Sequence, residues 1–560
     1  MKIDIKNGRV NIHSGTYSFY SIQSVWNVNG RIYSISDENA SAEFDGNSAA
    51  MVLETDGLRL ELKIEIFSHS ARIRAAMHSP EEAEIASITP FSAMINDAEN
   101  DSLLRVPFDN DDWVRYETNS VREGGRSYGA GCVFGKDHAA AVGVCDFSEW
   151  KTGIDLTEGR MSVVCGIADG LTRDVCPHGT IVCRSIAAPE VWIFESSSWQ
   201  AAMEDYAEKY SELNARLRWD GDTPVGWNSW YAYMKDIDDK KYLANAEFIS
   251  SLDGYENGYI NFDAFWTNLD ENTLRKCAET VAGRNMVPGI YLAPFAVWHD
   301  EQRLDEPVTD DFGSAAWDGL TWRSILLKDK NGEILPRVDG GLSLDVTHPA
   351  VKERMLRALH KLEEMGYKYI KLDFLGHGAR EGDFYDKDIT TGMQAYNMAM
   401  REICMAWHGF ISLSIAPVFP GGYGHARRVC CDVFGEFKDS KYLLNALTYG
   451  FWLNKRVYEF NDPDHICVDK SRAEAKFRFV SAVIGGTVML FSSKCENDDE
   501  RLLMKEFAGK EELTELAKKH MVFRPVERYI SDGISKAFVG SCGGNTYIAC
   551  LLYTSPSPRD

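Results

Sequence analysis

The chain has 560 residues, of which 84 are acidic and 60 basic, giving a formal net charge of −24. That length predicts two or three domains. That charge repels phosphate backbones and anionic lipid, which argues against nucleic acid or a membrane surface as partner. No stretch approaches the ~20 apolar residues of a membrane span, and the start, Met1 to Gly8, lacks the apolar core of a signal peptide, so a cytoplasmic location is expected. Thirteen cysteines without a CxxC pair fit reduced thiols rather than a disulfide framework. With no HExxH, no clustered Cys/His and no calcium loop, no metal is expected. The run Asp339-Gly340-Gly341 has the composition of a turn and lacks the Lys-Ser/Thr of a phosphate loop, so no cofactor is expected either.

Residues 1–197 read as an all-β domain. Leu58, Leu60, Leu62, Ile64 and Ile66 alternate with charged residues, the pattern of a strand with one wet face. Repetition of such segments between Gly-, Asn- and Asp-rich turns predicts a large antiparallel sandwich. Residues 198–224 form a helical linker, with a helix over Trp199 to Leu217 that leads into Gly221-Asp-Thr-Pro224.

Residues 225–520 change rhythm. Short apolar strands alternate with helical stretches, the signature of parallel βα units. Eight strands are predicted: Val225 to Trp230, Tyr259 to Phe265, Val287 to Ala293, Lys368 to Phe374, Phe410 to Ala416, Arg428 to Phe434, Arg456 to Asn461 and Thr487 to Ser492. One intervening helix starts at Pro349, buries Met355, Leu359 and Leu362, and stops before Gly366. Eight such units over about 290 residues predict a (β/α)₈ barrel, with its active site at the carboxyl ends of the strands. The third connection, from Pro294 to Val346, is long, carries a hairpin signal at Asp329-Lys-Asn-Gly332, and is expected to cover that end.

Residues 521–549 return to strand patterning, at Arg524-Pro-Val-Glu527 and Tyr547-Ile-Ala-Cys550, and read as the start of a truncated β-domain. The ending, residues 550–560, back-translates into a sequencing-library transposase adapter and is expected to be a scar outside the fold.

The chemistry concentrates at predicted strand ends. Asp263, Asp373, Asp432 and Asp462 each close a strand, and Lys371-Leu-Asp373 brings a cation with a carboxylate to one of them. Two carboxylates across a sugar-sized cleft suffice for glycoside hydrolysis, and a separation of about 5–5.5 Å selects the retaining route. An ionised Asp373 disfavours ionisation of a close neighbour, which would keep Asp432 protonated as acid. Glu436 is a rival acid, but its offset carries it farther into the loop.

Five motifs in order resemble the α-galactosidases of glycoside hydrolase family 36, in the clan shared with family 27. They are Gly226-Trp-Asn-Ser-Trp-Tyr231, Pro288-Gly-Ile-Tyr-Leu-Ala-Pro-Phe295, Tyr369-Ile-Lys-Leu-Asp-Phe374, Arg428-Val-Cys-Cys-Asp432 and Asn461-Asp-Pro-Asp464. The resemblance implies a multidomain protein with an N-terminal β-sandwich, a central TIM barrel and a C-terminal β-domain, acting on an oligosaccharide or glycoside without a cofactor. It implies Asp373 as nucleophile and Asp432 as acid/base, with Lys371 and Arg428 on sugar hydroxyls and Asp263 as a further sugar ligand. Trp227, Trp266 and Tyr291 are candidates for the pocket wall. Trp230, Tyr231 and Trp298 also fall near strand ends, where an aromatic face could stack on a sugar, but about half of these three with Trp227 and Trp266 are expected in core or helix packing, and the three are not assigned to the pocket. Asp109-Asn-Asp-Asp-Trp113 stands out because sandwiches of that family can lend residues to the neighbouring barrel's pocket, although an exposed acidic turn is the expectation. Asp464 and His465 are expected to support their loop. Homo-oligomerisation stays open.

One departure bears on specificity. Close relatives carry two adjacent aspartates after strand two, where this chain has Asp263-Ala264, and Tyr291 stands where they carry tryptophan. A lost charged hydrogen bond costs about 1.5–3 kcal/mol, roughly tenfold to a hundredfold in affinity. An α-galactoside, an α-N-acetylgalactosaminide and a β-L-arabinopyranoside all stay open, as do transglycosylation and a non-catalytic sugar-binding role.

Overall fold

A computed structural model describes residues 1–551, except 7–8, 16, 37–38, 97–99, 315–316, 487, 528–529 and 531–532. The predicted scar beyond residue 551, and Thr487 of the last predicted barrel strand, lie outside the described residues.

Among the described residues, the N-terminal domain is a connected network of seventeen antiparallel strands from Lys2–Lys6 to Val191–Ser196. The alternation at Leu58–Ile66 places its leucines and isoleucines in the core and its charges outward. Its partner, the 27-residue strand Ser70–Asn96, sets Leu60 opposite Met77, Leu62 opposite Ala75 and Ile64 opposite Ile73. The linker helix runs from Trp199 to Leu213, and the Ser198 hydroxyl accepts from the Ala201 N–H at its start. Asn214 ends the helix in extended backbone, four residues short of the predicted end.

The barrel strands are Val225–Asn228, Tyr259–Phe262, Val287–Leu292, Tyr369–Leu372, Phe410–Leu413, Ala426–Arg428, Phe460–Asp462 and Met489–Phe491. They pair in parallel in that order, and the first also pairs with the eighth. The seventh and eighth close through Ile466, just past strand seven, which exchanges hydrogen bonds with Leu490 and Ser492 at 2.7 and 2.9 Å. The first two strands approach so closely that a Cβ on Gly226 (φ +153°) would lie 2.0 Å from the Tyr259 carbonyl oxygen.

Strand six is displaced from its prediction. The apolar run Val429 to Val433 lies in the loop, and the strand is Ala426-Arg427-Arg428, whose arginines are buried among carbonyls and carboxylates. Strand seven likewise begins at Phe460 rather than Arg456, because the Arg456, Val457 and Tyr458 N–H groups turn back onto the Leu453 carbonyl at 3.3, 2.9 and 3.1 Å instead of pairing with a neighbouring strand. The helix Pro349–Glu364 forms as predicted and buries Met355, Leu359 and Leu362, while the His348 imidazole accepts from the Ala350 N–H at its start.

Strand periodicity of two organises the interior. Tyr259, Tyr369, Phe410, Ala426, Phe460 and Leu490 form one apolar cluster across the barrel. Two residues further along, toward the carboxyl ends, come Asn261, Lys371, Ser412, Arg428 and Asp462, and another step along the fourth and second chains reaches Asp373 and Asp263. An aromatic plug thus underlies a polar layer.

The third connection has its own small core around Val308, Trp322, Ile325 and Leu344. Its predicted turn forms at Asp329, where Gly332 (φ +84°) donates to the Asp329 carbonyl. The C-terminal segment is a three-stranded antiparallel sheet of Arg524–Pro525, Ala537–Cys542 and Asn545–Cys550. Cys550 closes its last strand, and the Leu551 N–H donates to the Lys536 carbonyl. No helix among the described residues is long and apolar enough to cross a membrane.

Candidate active site

Two buried cations, each between two carboxylates, organise the carboxyl ends of the strands. Lys371 Nζ lies 2.9 Å from Asp263 Oδ2 and 3.7 Å from Asp373 Oδ2. Arg428 lies 2.8 Å from Asp432 Oδ1 and 3.3 Å from Asp464 Oδ1. Burial works against the charge of Lys371, but Asp263 and Asp373 outweigh it and raise its pKa.

The carboxylates respond differently. Burial pushes Asp373 above the usual aspartate value, against the pull of Lys371 and Arg428. Burial also acts on Asp263, but Lys371, the Asn228 amide at 2.7 Å and the Ala264 N–H at 2.8 Å hold it below the ordinary value. Asp462 is driven up to about 6 by burial, with Arg428 pulling down and the Asp464 charge pushing up. Its carboxylate accepts from the Ser412 hydroxyl at 3.1 Å and the Asp464 N–H at 2.8 Å, deep in the barrel.

Asp373 and Asp432 share a cavity of about 120 Å³, lined also by Asp263, Ala264, Tyr291, Lys371 and Trp230. That is well below the 300–1,000 Å³ of a drug-sized site and suits a single small ring. Asp373 directly follows strand four, whereas Asp432 stands four residues past strand six in the loop rather than closing the strand. Two donors fix Asp432 there: Arg428 on Oδ1 and the Trp230 indole N–H on Oδ2 at 3.1 Å. Tyr291 lies beneath Lys371, whose ammonium is 5.4 Å from the ring centre.

Several expected residues stand elsewhere. Arg428 is buried behind Asp432 and holds it, so it is a positioning group rather than a cavity wall. Trp227 is fully buried and donates to the Ser493 carbonyl at 2.9 Å, because the third position of that strand points away from the barrel interior. Trp266 is buried under the third connection against Phe312 and donates to the Tyr291 carbonyl at 2.7 Å. Neither tryptophan lines the cavity. Asp464 carries out the expected loop support, accepting from the Val433 N–H at 2.7 Å and from the Tyr231 hydroxyl. Its neighbour His465 is buried beside Asp263, at 3.9 Å, with neither ring nitrogen hydrogen-bonded. Glu436 starts the helix Phe437–Tyr449 and pairs with Lys438, away from the cavity.

Other groups of the site depart from expectation. The segment Asp109–Trp113 is not an exposed acidic turn: Asp109, Asn110 and Asp111 are buried against the barrel. The Asn110 amide donates to the Cys430 carbonyl at 2.6 Å and the Trp113 indole to the Asp432 carbonyl at 3.0 Å. Asp111 and Trp113 therefore line the cavity from the N-terminal domain. From the third connection comes Asp339, in a two-residue turn with positive φ at Asp339 and Gly340, closed by paired Val338 and Gly341 hydrogen bonds. Trp298, with the indole donating to the Asp339 carbonyl, packs edge-on against Phe374. Trp113, Phe265, Trp298 and Phe434 leave exposed aromatic surface at this end. The signals were in the chain, as tryptophans and aspartates outside the barrel strands, but nothing local tells which loop folds back onto the rim.

Among the described residues no group of three or more His, Cys, Asp or Glu is arranged to hold a metal ion.

No protein-family model matches the chain. Solved structures do. An α-galactosidase from Thermus thermophilus, in complex with p-nitrophenyl α-D-galactopyranoside, superposes with a TM-score of 0.60 at 16% identity, over 89% of this chain and 98% of that one. A family-36 α-galactosidase from Geobacillus stearothermophilus, in complex with 1-deoxygalactonojirimycin, gives 0.64 at 14% identity, over 100% and 82%. A second family-36 α-galactosidase from the same organism gives 0.61 at 13% identity, over 96% and 78%. The chain shares the fold of family-36 α-galactosidases: a large antiparallel N-terminal domain, an eight-stranded parallel barrel and a C-terminal sheet.

Proposed function

We propose that the protein is a retaining exo-glycosidase of the α-galactosidase type, acting on terminal glycosides of small or oligomeric aglycones. The observation that carries this reading is the shared cavity of Asp373 and Asp432, each carboxylate held by its own buried cation. Asp373 attacks the anomeric carbon as the bond from that carbon to the leaving oxygen breaks, and Asp432 gives its proton to that oxygen. Water then attacks the glycosyl ester, transfers a proton to Asp432, and releases Asp373 as carboxylate. Lys371 lowers the cost of a charged nucleophile in a buried site, and Trp230 and Arg428 aim the acid/base. The exposed aromatic faces around the opening suit the flat apolar face of a leaving sugar or an aryl group. Thirteen free cysteines support a cytoplasmic location.

Ala264 on the cavity wall favours a second reading, a related glycosidase with altered preference for an α-N-acetylgalactosaminide or a β-L-arabinopyranoside. A panel of the three aryl glycosides, tested on the parent and on Asp373→Ala, separates these readings. Turnover of none of them overturns the glycosidase proposal, and equal turnover by the variant removes Asp373 as nucleophile.

A further inference from the structure

The cavity carries more negative charge than hydrolysis uses. Five carboxylates line it, Asp111, Asp263, Asp339, Asp373 and Asp432, against one amine, Lys371. Double displacement needs two of the five, and Asp263 is committed to Lys371 at 2.9 Å. The remaining two, Asp111 and Asp339, reach the cavity from outside the barrel strands.

Asp111 is an unusual carboxylate. Its side chain is 1% exposed, its Oδ1 accepts from the Asp112 N–H at 2.8 Å, and its Oδ2 has no hydrogen-bond partner. The nearest cation, Arg173 Nη1, stands 3.6 Å from that oxygen, and the same guanidinium donates three times to Asp109 at 3.1–3.2 Å. Asp339 stands at the exposed rim and forms no ion pair with any described residue. Arg428 is shared between Asp432 and Asp464. Burial, with the Asp109 and Asp339 charges, pushes Asp111 up to about 7 against the pull of Arg173. An orphaned acceptor buried in a wall of like charge lacks a donor, and a donor that also carries positive charge would relieve burial and repulsion together.

Hydroxyls satisfy hydrogen bonds but leave the charge uncompensated. An ammonium group satisfies both. We propose that the sugar accepted here carries a protonated amine, an aminodeoxy-hexoside with a free ammonium group, held by Asp111 and Asp339. This inference rests on the reading of the cavity as a sugar site.

The test is calorimetric binding at pH 7 to the Asp373→Ala protein, which does not depend on turnover. Galactose, galactosamine and 6-amino-6-deoxygalactose are the probes. At least one amino sugar should bind tenfold or more tightly than galactose. Asp111→Asn and Asp339→Asn, each added to Asp373→Ala, should cut that advantage to about twofold or less. Asparagine is near-isosteric and tolerates the positive φ of position 339 (+47°), so Asp339→Asn keeps the test valid if Asp111→Asn fails to fold. The inference is overturned if neither amino sugar outbinds galactose, or if the advantage survives the substitutions. Should an amino sugar bind as expected while no aryl glycoside is cleaved by the parent, the catalytic reading falls and this one stands.

Discussion

Replacing Lys371 by methionine removes the ammonium that separates two buried carboxylates while keeping an apolar stem of similar length. In the parent, Asp263 lies below its ordinary pKa because Lys371 and two hydrogen bonds outweigh burial. That contribution to stability is present above the unfolded aspartate value of about 3.9 and is lost only as pH falls through the lower folded value. In the variant, burial persists without the cation, so the folded pKa of the carboxylate moves above 3.9. The sign then reverses: the variant is favoured at low pH and loses stability as pH rises toward the raised value. Breaking a buried pair from one side costs about 3–5 kcal/mol once the remaining charge is ionised. One proton gives a slope of about 1.4 kcal/mol per pH unit, so the deficit grows by about 1.5 kcal/mol between the unfolded aspartate value and pH 5 and reaches about 3–5 kcal/mol at pH 8. Denaturant unfolding of parent and variant at the two pH values measures it. An equal deficit at both would mean that the lysine acts through packing alone, and no deficit at pH 8 would refute the electrostatic account.

Four further outcomes follow from the geometry. Trp230→Phe removes the indole donor to Asp432 Oδ2, and loss of a bond to a carboxylate, worth about 1.5–3 kcal/mol, lowers kcat/KM roughly tenfold to a hundredfold. Trp227→Phe instead leaves the Ser493 carbonyl unpaired, lowering stability by about 1–3 kcal/mol while kcat/KM of the folded protein changes little. If Asp373 is the nucleophile, its burial-raised pKa sets the acidic limb of kcat/KM above the ordinary aspartate value of about 3.9, and Lys371→Met moves that limb to higher pH. Gly226→Ala forces a methyl group against the Tyr259 carbonyl and prevents recovery of folded protein, as read by circular dichroism after refolding.

Much of the architecture was legible because its signals are local. The alternation at Leu58–Ile66 depends on which face is wet, and Pro349 and Gly366 punctuate a helix whatever surrounds it. Lys371-Leu-Asp373 announced itself because alternate residues of a buried strand share a face. Strand six was misplaced for the opposite reason: Arg427 and Arg428 are charged residues whose burial depends on Asn110, Ala416, Asp432 and Asp464, all distant in sequence or beyond the strand. The tryptophans show the same limit. Trp227 and Trp230 are three residues apart, and only the turn between strand and helix decides that the second faces Asp432. Asp111 and Asp339 reach the cavity through tertiary folding of two loops, which leaves no trace in periodicity.

The central claim, attack by Asp373 on the anomeric carbon, is tested most directly by trapping the ester. Incubation with an activated 2-deoxy-2-fluoro glycoside of the preferred sugar, followed by proteolysis and mass spectrometry, should find one added fluoroglycosyl unit on the peptide containing Asp373. It should be absent from Asp373→Ala. A label on another carboxylate, or none from a substrate that the enzyme demonstrably hydrolyses, would contradict the account.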